Sequence, residues 1–280
     1  MDVSVIFVNY NTCKLTLDAI ASVYQFTKRI NFEIIVVDND SSDNSLAEIQ
    51  LQFPRVIIVQ NNKNIGFGQA NNKGMEIAKG KYFFLLNTDT YLLNNAIELF
   101  YDFMENPASN DVAVVGGTLT KPNGDWNVSF GYFPNFSTFV KGTFWRHFYK
   151  KLFYENAEFE PVVEDTELPF LVDYVSGANF FIKKSIIEKV GMFDKAFFMY
   201  FEETELTLRI KRQIANSKVY ILPAAKIVHI SQGSVKNGTK QLKFRLQYLK
   251  SKSLYFKFQN GYCAFLMYYI RGLIKIFLNR

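Results

Sequence analysis

The sequence predicts an α/β fold, a mostly parallel doubly wound sheet flanked by helices, and three observations predict it. Short runs rich in Val, Ile and Phe alternate with longer stretches of helical apolar spacing as far as Gly117. Polar clusters rich in Asn and Asp follow directly on several of those runs, where the strands of such a sheet gather ligand-binding groups. The chain's 280 residues suffice for one large body or two halves, with an appendage.

Taken in order, Val3 to Tyr10 reads as a buried strand, Leu15 to Tyr24 as an amphipathic helix and Glu33 to Asp38 as a second strand, together one β-α-β unit. Strands follow at Val56 to Val59, Tyr82 to Leu86 and Val112 to Val115. Helical stretches near Ser45 to Gln52, Gln69 to Ala78 and Ala96 to Met104 separate them. Ser45 with Glu48 three residues on predicts a capping box, and Asn94 or Asn95 a cap for the helix that follows. The strand ends then set Tyr10, Asn11, Asp38, residues 61 to 68 and residues 87 to 89 along one rim. Beyond Gly117 the alternation loosens, and residues 130 to 159 hold twelve Phe, Tyr or Trp residues. Those aromatics predict a loop-rich second half, with the rings either filling a core beneath long loops or facing sugar rings or a lipid tail.

Composition removes several classes. Cys13 and Cys263 stand far apart without metal-type spacing, which excludes a disulfide framework or a zinc site and points to a reducing compartment. Asp2 and the strand-like run directly after it predict no secretory leader and a cytoplasmic protein. Neither aromatic RNA-reading motifs nor a helix-turn-helix pattern occurs, so nucleic acid is not an expected partner.

The net charge of +6 conceals a division: no acid follows Glu205, while that last stretch carries 15 of the 32 Lys and Arg. Residues 1 to 205 hold the other 17 together with all 26 acids, a net of −9. Such asymmetry predicts an anionic partner for the C-terminal end. From Lys236 on the chain is basic, apolar and helical in pattern, and its longest uncharged apolar run, Tyr262 to Ile270, is too short to span a bilayer. The tail reads as lying on an anionic membrane surface or as a packed helix closing the domain.

For chemistry, the turn after the first strand, NYNTCKL, contains no glycine, so the dinucleotide fingerprint is absent; Gly66 and Gly68 come later and read alone as a turn and helix start. Asp89 in LLNTDT sits where a carboxylate could hold a divalent cation against a diphosphate, though alone it reads as a turn or cap residue. His229, between Val228 and Ile230, reads alone as a partly buried strand residue. Glu202, Glu203 and Glu205 suit a helix N-terminus, where acids favour the macrodipole.

In order, VSVIFVNYN, VVDNDSSD, NIGFGQANNKG and LLNTDT resemble the inverting family-two glycosyltransferases of the GT-A fold. The resemblance continues through SGANFFIKKSIIEKVGMFDKAFFMYFEETELTLR and HISQGS, covering residues 3 to about 235. LLNTDT is most similar to branches that add rhamnose and related sugars to bacterial surface polysaccharides, with Asn87 replacing an acid. The resemblance implies a donor half at 1–116, an acceptor and catalytic half at 117–235 and the tail at 236–280.

It also implies roles. Asp38 would accept a hydrogen bond from the nucleotide base or ribose, with Tyr10 and Asn11 beside it and Asn64, Gly66 and Asn87 completing the donor pocket. Asp89 and His229 would bind Mg2+ or Mn2+ at the diphosphate, under a closing loop at Gly233 and Ser234. Glu203, with Glu202 beside it, would be the catalytic base, and Gly177 and Glu205 would face the acceptor. Both Glu203 and Glu205 replace the family's commoner Asp.

The implied partners are a nucleotide-diphosphate sugar, with UDP- or dTDP-sugars favoured, and a saccharide or lipid-linked saccharide acceptor. The implied setting is cell-surface polysaccharide or lipopolysaccharide assembly, peripheral on the inner face of the membrane. Two alternatives stand beside this reading: a noncatalytic glycosyltransferase-like binding protein, and a sugar nucleotidyltransferase, whose glycine-rich basic loop does not follow the first strand here.

Overall fold

Strands β1 (Val3–Asn9), β2 (Phe32–Asp38) and β4 (Tyr82–Leu86) are apolar along almost their whole length and buried on both faces. Such runs suit the middle of a sheet covered by helices above and below. The computed structural model describes residues 1–134, 167–231 and 238–278. Between those strands lie α1 (Cys13–Phe26), α2 (Ser45–Gln52), β3 (Ile57–Gln60) and α3 (Phe67–Ile77). After β4 come β5 (Thr90–Leu92), α4 (Ala96–Glu105) and β6 (Val112–Thr120). The rest of the body comprises β7 (Phe130–Gly131), β8 (Phe170–Leu171), β9 (Tyr174–Val175), β10 (Asn179–Lys183), α5 (Lys184–Val190), α6 (Glu202–Gln213) and β11 (Lys218–His229). Two helices end the described chain, α7 (Gly238–Asn260) and α8 (Tyr262–Leu278).

Among the described residues nine strands form one mixed sheet, ordered β3-β2-β1-β4-β10-β6-β11-β5 with β8 paired to β11. Neighbours from β3 to β4 run parallel, as do β6 and β11. β10 inserts antiparallel between β4 and β6, and β5 runs antiparallel to β11. The pleat sends alternate residues to opposite layers. Val3, Val5 and Phe7 pack beneath α1 and α4, while Ile6, Ile35 and Val37 pack on the side of α3 and α6. Part of the phenylalanine excess is absorbed here, where the Phe181 ring contacts Tyr82, Phe84 and Phe100 at centroid distances of 5.2 to 5.9 Å.

Several expectations change. Ser45 is the first residue of α2 rather than its cap, because its hydroxyl turns back to Asp43 and Asn44 takes the cap position without a side-chain bond. Asn95 precedes α4 without capping it, while the Asn94 amide bonds Ala224 and Lys226 and ties α4 to β11. The boundary at 116 and 117 falls inside β6, so the two halves share one sheet. Most of the aromatic stretch at 130–159 lies outside the described residues, as do Gly233 and Ser234. Phe130, which is described, is core.

In the tail, α7 packs on the body: Leu249, Tyr255 and Phe256 are buried, and Ser251 donates to the Met199 carbonyl at 2.7 Å. No helix among the described residues is long and apolar enough to cross a membrane.

Candidate functional site

The parallel strands β1, β2 and β4 deliver their C-terminal ends to one rim, where a network of Asn, Ser and Thr joins the turns. Asn9, the last residue of β1, donates to Asp38 at 2.7 Å and accepts from Thr12 and Thr16. Thr12 in turn meets Thr88 at 3.1 Å, linking the β1 turn to the β4 turn. Asn11, in the left-handed region with φ 55, accepts from the Ser42 backbone at 2.7 Å. Tyr10 is left 49% exposed at the rim, a ring available to a planar ligand.

Asp38 is 0% exposed, and its oxygens accept from the Asn9 amide and the Ser41 backbone, so it ties the turns of the rim together. The adjoining Asp40, at φ 71, is exposed. Asn39, which the sequence reading passed over, is buried and carries the next link: it donates to Asn64 at 2.9 Å and accepts from the Ile65 backbone at 3.1 Å. The recurrence of Asn at strand ends was the available signal.

Asn64 receives the Gly66 backbone N–H at 3.0 Å, shaping the turn into α3. Gly66 has φ +90, and a Cβ there would stand 2.4 Å from the Phe198 carbonyl. That carbonyl also accepts from the Phe67 backbone at 2.8 Å. The expected donor loop is therefore fastened directly to the segment that leads into α6.

The antiparallel pairing of β5 with β11 sets His229 opposite Thr90, which brings Asp89 and His229 together. Their Oδ1 and Nε2 atoms lie 3.2 Å apart, each side chain about a fifth exposed. Two residues before Asp89 in the chain, the Asn87 side-chain oxygen is buried and has no hydrogen-bond partner in the described structure. One carboxylate, one imidazole and one amide oxygen in want of a partner form a donor set that suits Mg2+ or Mn2+. No group of three or more His, Cys, Asp or Glu that could hold a metal occurs among the described residues. Any such ion would draw its remaining oxygens from the diphosphate and from water.

The acidic cluster of α6 separates into three environments. Glu203 lies under Gly177, whose backbone N–H reaches its carboxylate together with the N–H groups of Glu203 and Thr204. Burial nonetheless pushes its pKa up to about 7. Glu202 is 3% exposed beside Gly68 and Phe193, with one carboxylate oxygen unpartnered among the described residues. Burial first, and the neighbouring Glu203 charge second, push its carboxyl well above the usual range.

Glu205, expected to face the acceptor, is paired to a residue of its own helix. Two residues on from Glu203, it lies about 200° around the helix, paired to Arg209 through two contacts of 2.9 Å. Arg209 also donates to the Val190 and Met192 carbonyls, so Glu205 anchors the loop after α5. The pair lines a separate cleft of about 650 Å³ with Asn72, Asp194 and Arg212.

One link joins base and rim. The Asn87 backbone donates to the Ala178 carbonyl at 3.2 Å, and Ala178 follows Gly177, which lies against the Glu203 carboxyl. Tyr174 completes this neighbourhood; burial and then the Glu203 charge raise its phenol pKa, and nothing in its sequence context marks it out.

The family described as Glycosyl transferase family 2 matches residues 4–191. Glycosyltransferase GlyG of Streptococcus pneumoniae is 31% identical over 46% of this chain and 42% of its own. The UDP-Glc:alpha-D-GlcNAc-diphosphoundecaprenol beta-1,3-glucosyltransferase WfaP of Escherichia coli is 35% identical over 37% of this chain and 41% of its own. These matches thus span about two fifths of the curated relatives. Among solved structures, the mannosyltransferase PcManGT from Pyrobaculum calidifontis, in complex with GDP-Man and Mn2+, superposes with TM-score 0.60 at 15% identity. That superposition covers 98% of this chain and 69% of the other, and at such identity it speaks for the fold alone.

Proposed function

The chain belongs to glycosyl transferase family 2 and has the α/β GT-A fold, and from that premise we propose that it moves one sugar from a nucleotide-diphosphate donor to an acceptor hydroxyl with inversion. The observation that carries this reading is the meeting of Asp89 and His229 at the rim, one backbone link from the turn that holds Glu203.

Glu203 takes the proton from the acceptor hydroxyl, and its raised pKa suits proton transfer near neutrality. The acceptor oxygen forms its bond to the anomeric carbon on the face opposite the diphosphate. The bond from that carbon to the diphosphate oxygen breaks, its electron pair leaves with the diphosphate, and the centre inverts. Asp89 and His229, with Asn87 beside them, would hold a divalent cation, Mg2+ or Mn2+, which supplies positive charge to a diphosphate when bound. Tyr10 and Asn11 line the base and ribose end, and Asp38, Asn64 and Gly66 keep that rim in shape. Gly177 positions the base from the acceptor side.

The donor half is residues 1–116, the acceptor half 117–235 and the tail 236–280. UDP- and dTDP-sugars are the favoured donors, rhamnose-type sugars among them on the strength of LLNTDT. A lipid-linked saccharide is the favoured acceptor, supported by the name of the Escherichia coli relative. The reading sets the work in surface-polysaccharide assembly, with the tail on an anionic membrane. Calorimetric titration of UDP, dTDP and GDP, each with and without manganese, tests the reading. Metal-dependent binding of one nucleotide is expected, and no binding of any would favour a noncatalytic protein.

A further inference from the structure

Helix α8 is packed on one side only. Its Ala264 and Ile276 are buried, its Tyr268 ring meets Phe256 of α7 at 4.8 Å, and Gly272 lies so close to Leu249 that a Cβ would come within 2.1 Å of it. The absence of a side chain at Gly272 is what lets the two helices approach.

On the opposite side, Tyr262, Leu266, Met267, Ile270, Ile274 and Phe277 are each 40% to 61% exposed. At about 100° per residue these positions fall within one arc of about 140°, which contains no charged residue. Arg271 lies about 40° and Lys275 about 80° beyond that arc, and Lys243, Arg245, Lys250 and Lys257 are exposed along α7. No Asp or Glu follows Glu205, so the appendage carries no acidic side chain of its own.

A second copy of the chain laid on this face would bring the flanking cations of both tails near one another with no Asp or Glu of either tail between them. Anionic lipid offers the opposite charge and an apolar interior in one surface, the combination that holds a helix in the plane of a bilayer interface. Spanning is ruled out for α8 by its length and hydropathy. We propose that the outer face of α8 inserts into an anionic lipid surface, while α7 holds it to the body as a strut that ends against the segment preceding Glu203. This names the lipid-contacting surface of the membrane partner given above and rests on that reading only for its setting.

The test uses the full chain and vesicles of phosphatidylglycerol with phosphatidylcholine, against phosphatidylcholine alone. Wild type should sediment with the anionic vesicles and be released by salt. The Ile270→Glu/Ile274→Glu variant should bind them about tenfold or more weakly, whereas Ile270→Leu/Ile274→Leu should bind like wild type. Both should keep wild-type nucleotide binding, a readout that belongs to the glycosyltransferase reading and fails separately from this one. Met267→Trp should add emission that shifts to the blue on the anionic vesicles, over that of the two native Trp residues. Unchanged sedimentation of the Glu variant, wild type that ignores anionic vesicles, or a wild-type dimer that the Glu variant breaks would each overturn the proposal.

Discussion

The Nε2 atom of His229 lies 3.2 Å from Oδ1 of Asp89, although 140 residues separate the two in the chain. The ladder between β5 and β11 joins them, and the Ile230 backbone N–H donates to the Asp89 carbonyl at 2.9 Å, which fixes the register. The carboxylate brings charge to a cation, while the imidazole brings a neutral lone pair. Asp89→Ala is therefore expected to abolish manganese-dependent nucleotide binding and His229→Ala to weaken it less. Calorimetry on both variants checks the order, and equal losses would mean the two act as one ligand unit.

Turnover should rise with pH through about 7, because Glu203 keeps its proton below that value and a base must be unprotonated to act. Glu203→Gln should lower kcat by about 10²- to 10⁴-fold with little change in donor affinity, and should erase that limb of the profile. The apparent value belongs to the pair with Glu202, whose charge is its neighbour. A Glu203→Gln enzyme with a full pH limb would assign the base elsewhere.

The same pair predicts how stability depends on pH. Both carboxyls are raised above their ordinary values in the folded protein. The folded state therefore binds more protons than the unfolded state between about pH 4.5 and the raised values, and stability falls as pH rises through that window. Each unit of raised pKa costs about 1.4 kcal/mol once the group must ionise. Glu202→Gln keeps the shape and removes one buried charge, so it should flatten the decline. Thermal melts of both proteins across that window measure it, and parallel curves would place the effect in other groups.

Some of this was legible in the sequence and some was not, for reasons that differ by residue. β1, β2 and β4 announce themselves because strands buried on both faces are continuous apolar runs. β10 does not, since Asn179–Lys183 pairs antiparallel with two strands distant in the sequence, and no local pattern carries that information. Asp38 and Asp40 look alike as letters, yet one is buried by Asn9 and Ser41 while the other is exposed. Glu205 follows the motif but faces Arg209, a matter of helix phase that motif order does not encode. The apolar run of α8 was visible, but which side of it meets α7 is decided by Gly272 against Leu249.

Gly66→Ala should be costly out of proportion to its size. Residue 66 sits at φ +90, and the new Cβ would meet a backbone carbonyl, that of Phe198, at 2.4 Å. Backbone cannot rotate away as a side-chain tip can, so the loop or α3 must shift. A loss of about 1 to 3 kcal/mol is expected from the conformation alone, read as a lower urea midpoint, together with weaker nucleotide binding. A wild-type midpoint would mean that the turn relaxes freely.

Tyr200 and Phe201, directly before α6, both hold left-handed conformations, with φ 72 and 69. Residues with a Cβ seldom stay there unless their surroundings impose it. The imposing contacts come from α7: the Tyr200 ring meets Phe244 and Tyr248, and the Phe201 ring meets Tyr248 and Tyr255, at centroid distances of 5.3 to 5.8 Å. Glu203 follows two residues later, so the aromatic clamp sets where the base stands. Tyr255→Leu removes one wall of that clamp and should lower kcat with KM for the donor nearly unchanged. Tyr255→Phe keeps the ring, loses only the hydroxyl that accepts from Gln259, and should restore the rate. A merely structural tyrosine would lower the melting temperature and leave kcat at wild-type level in the folded fraction. Equal kcat in the Leu and Phe variants would therefore separate the clamp from the base.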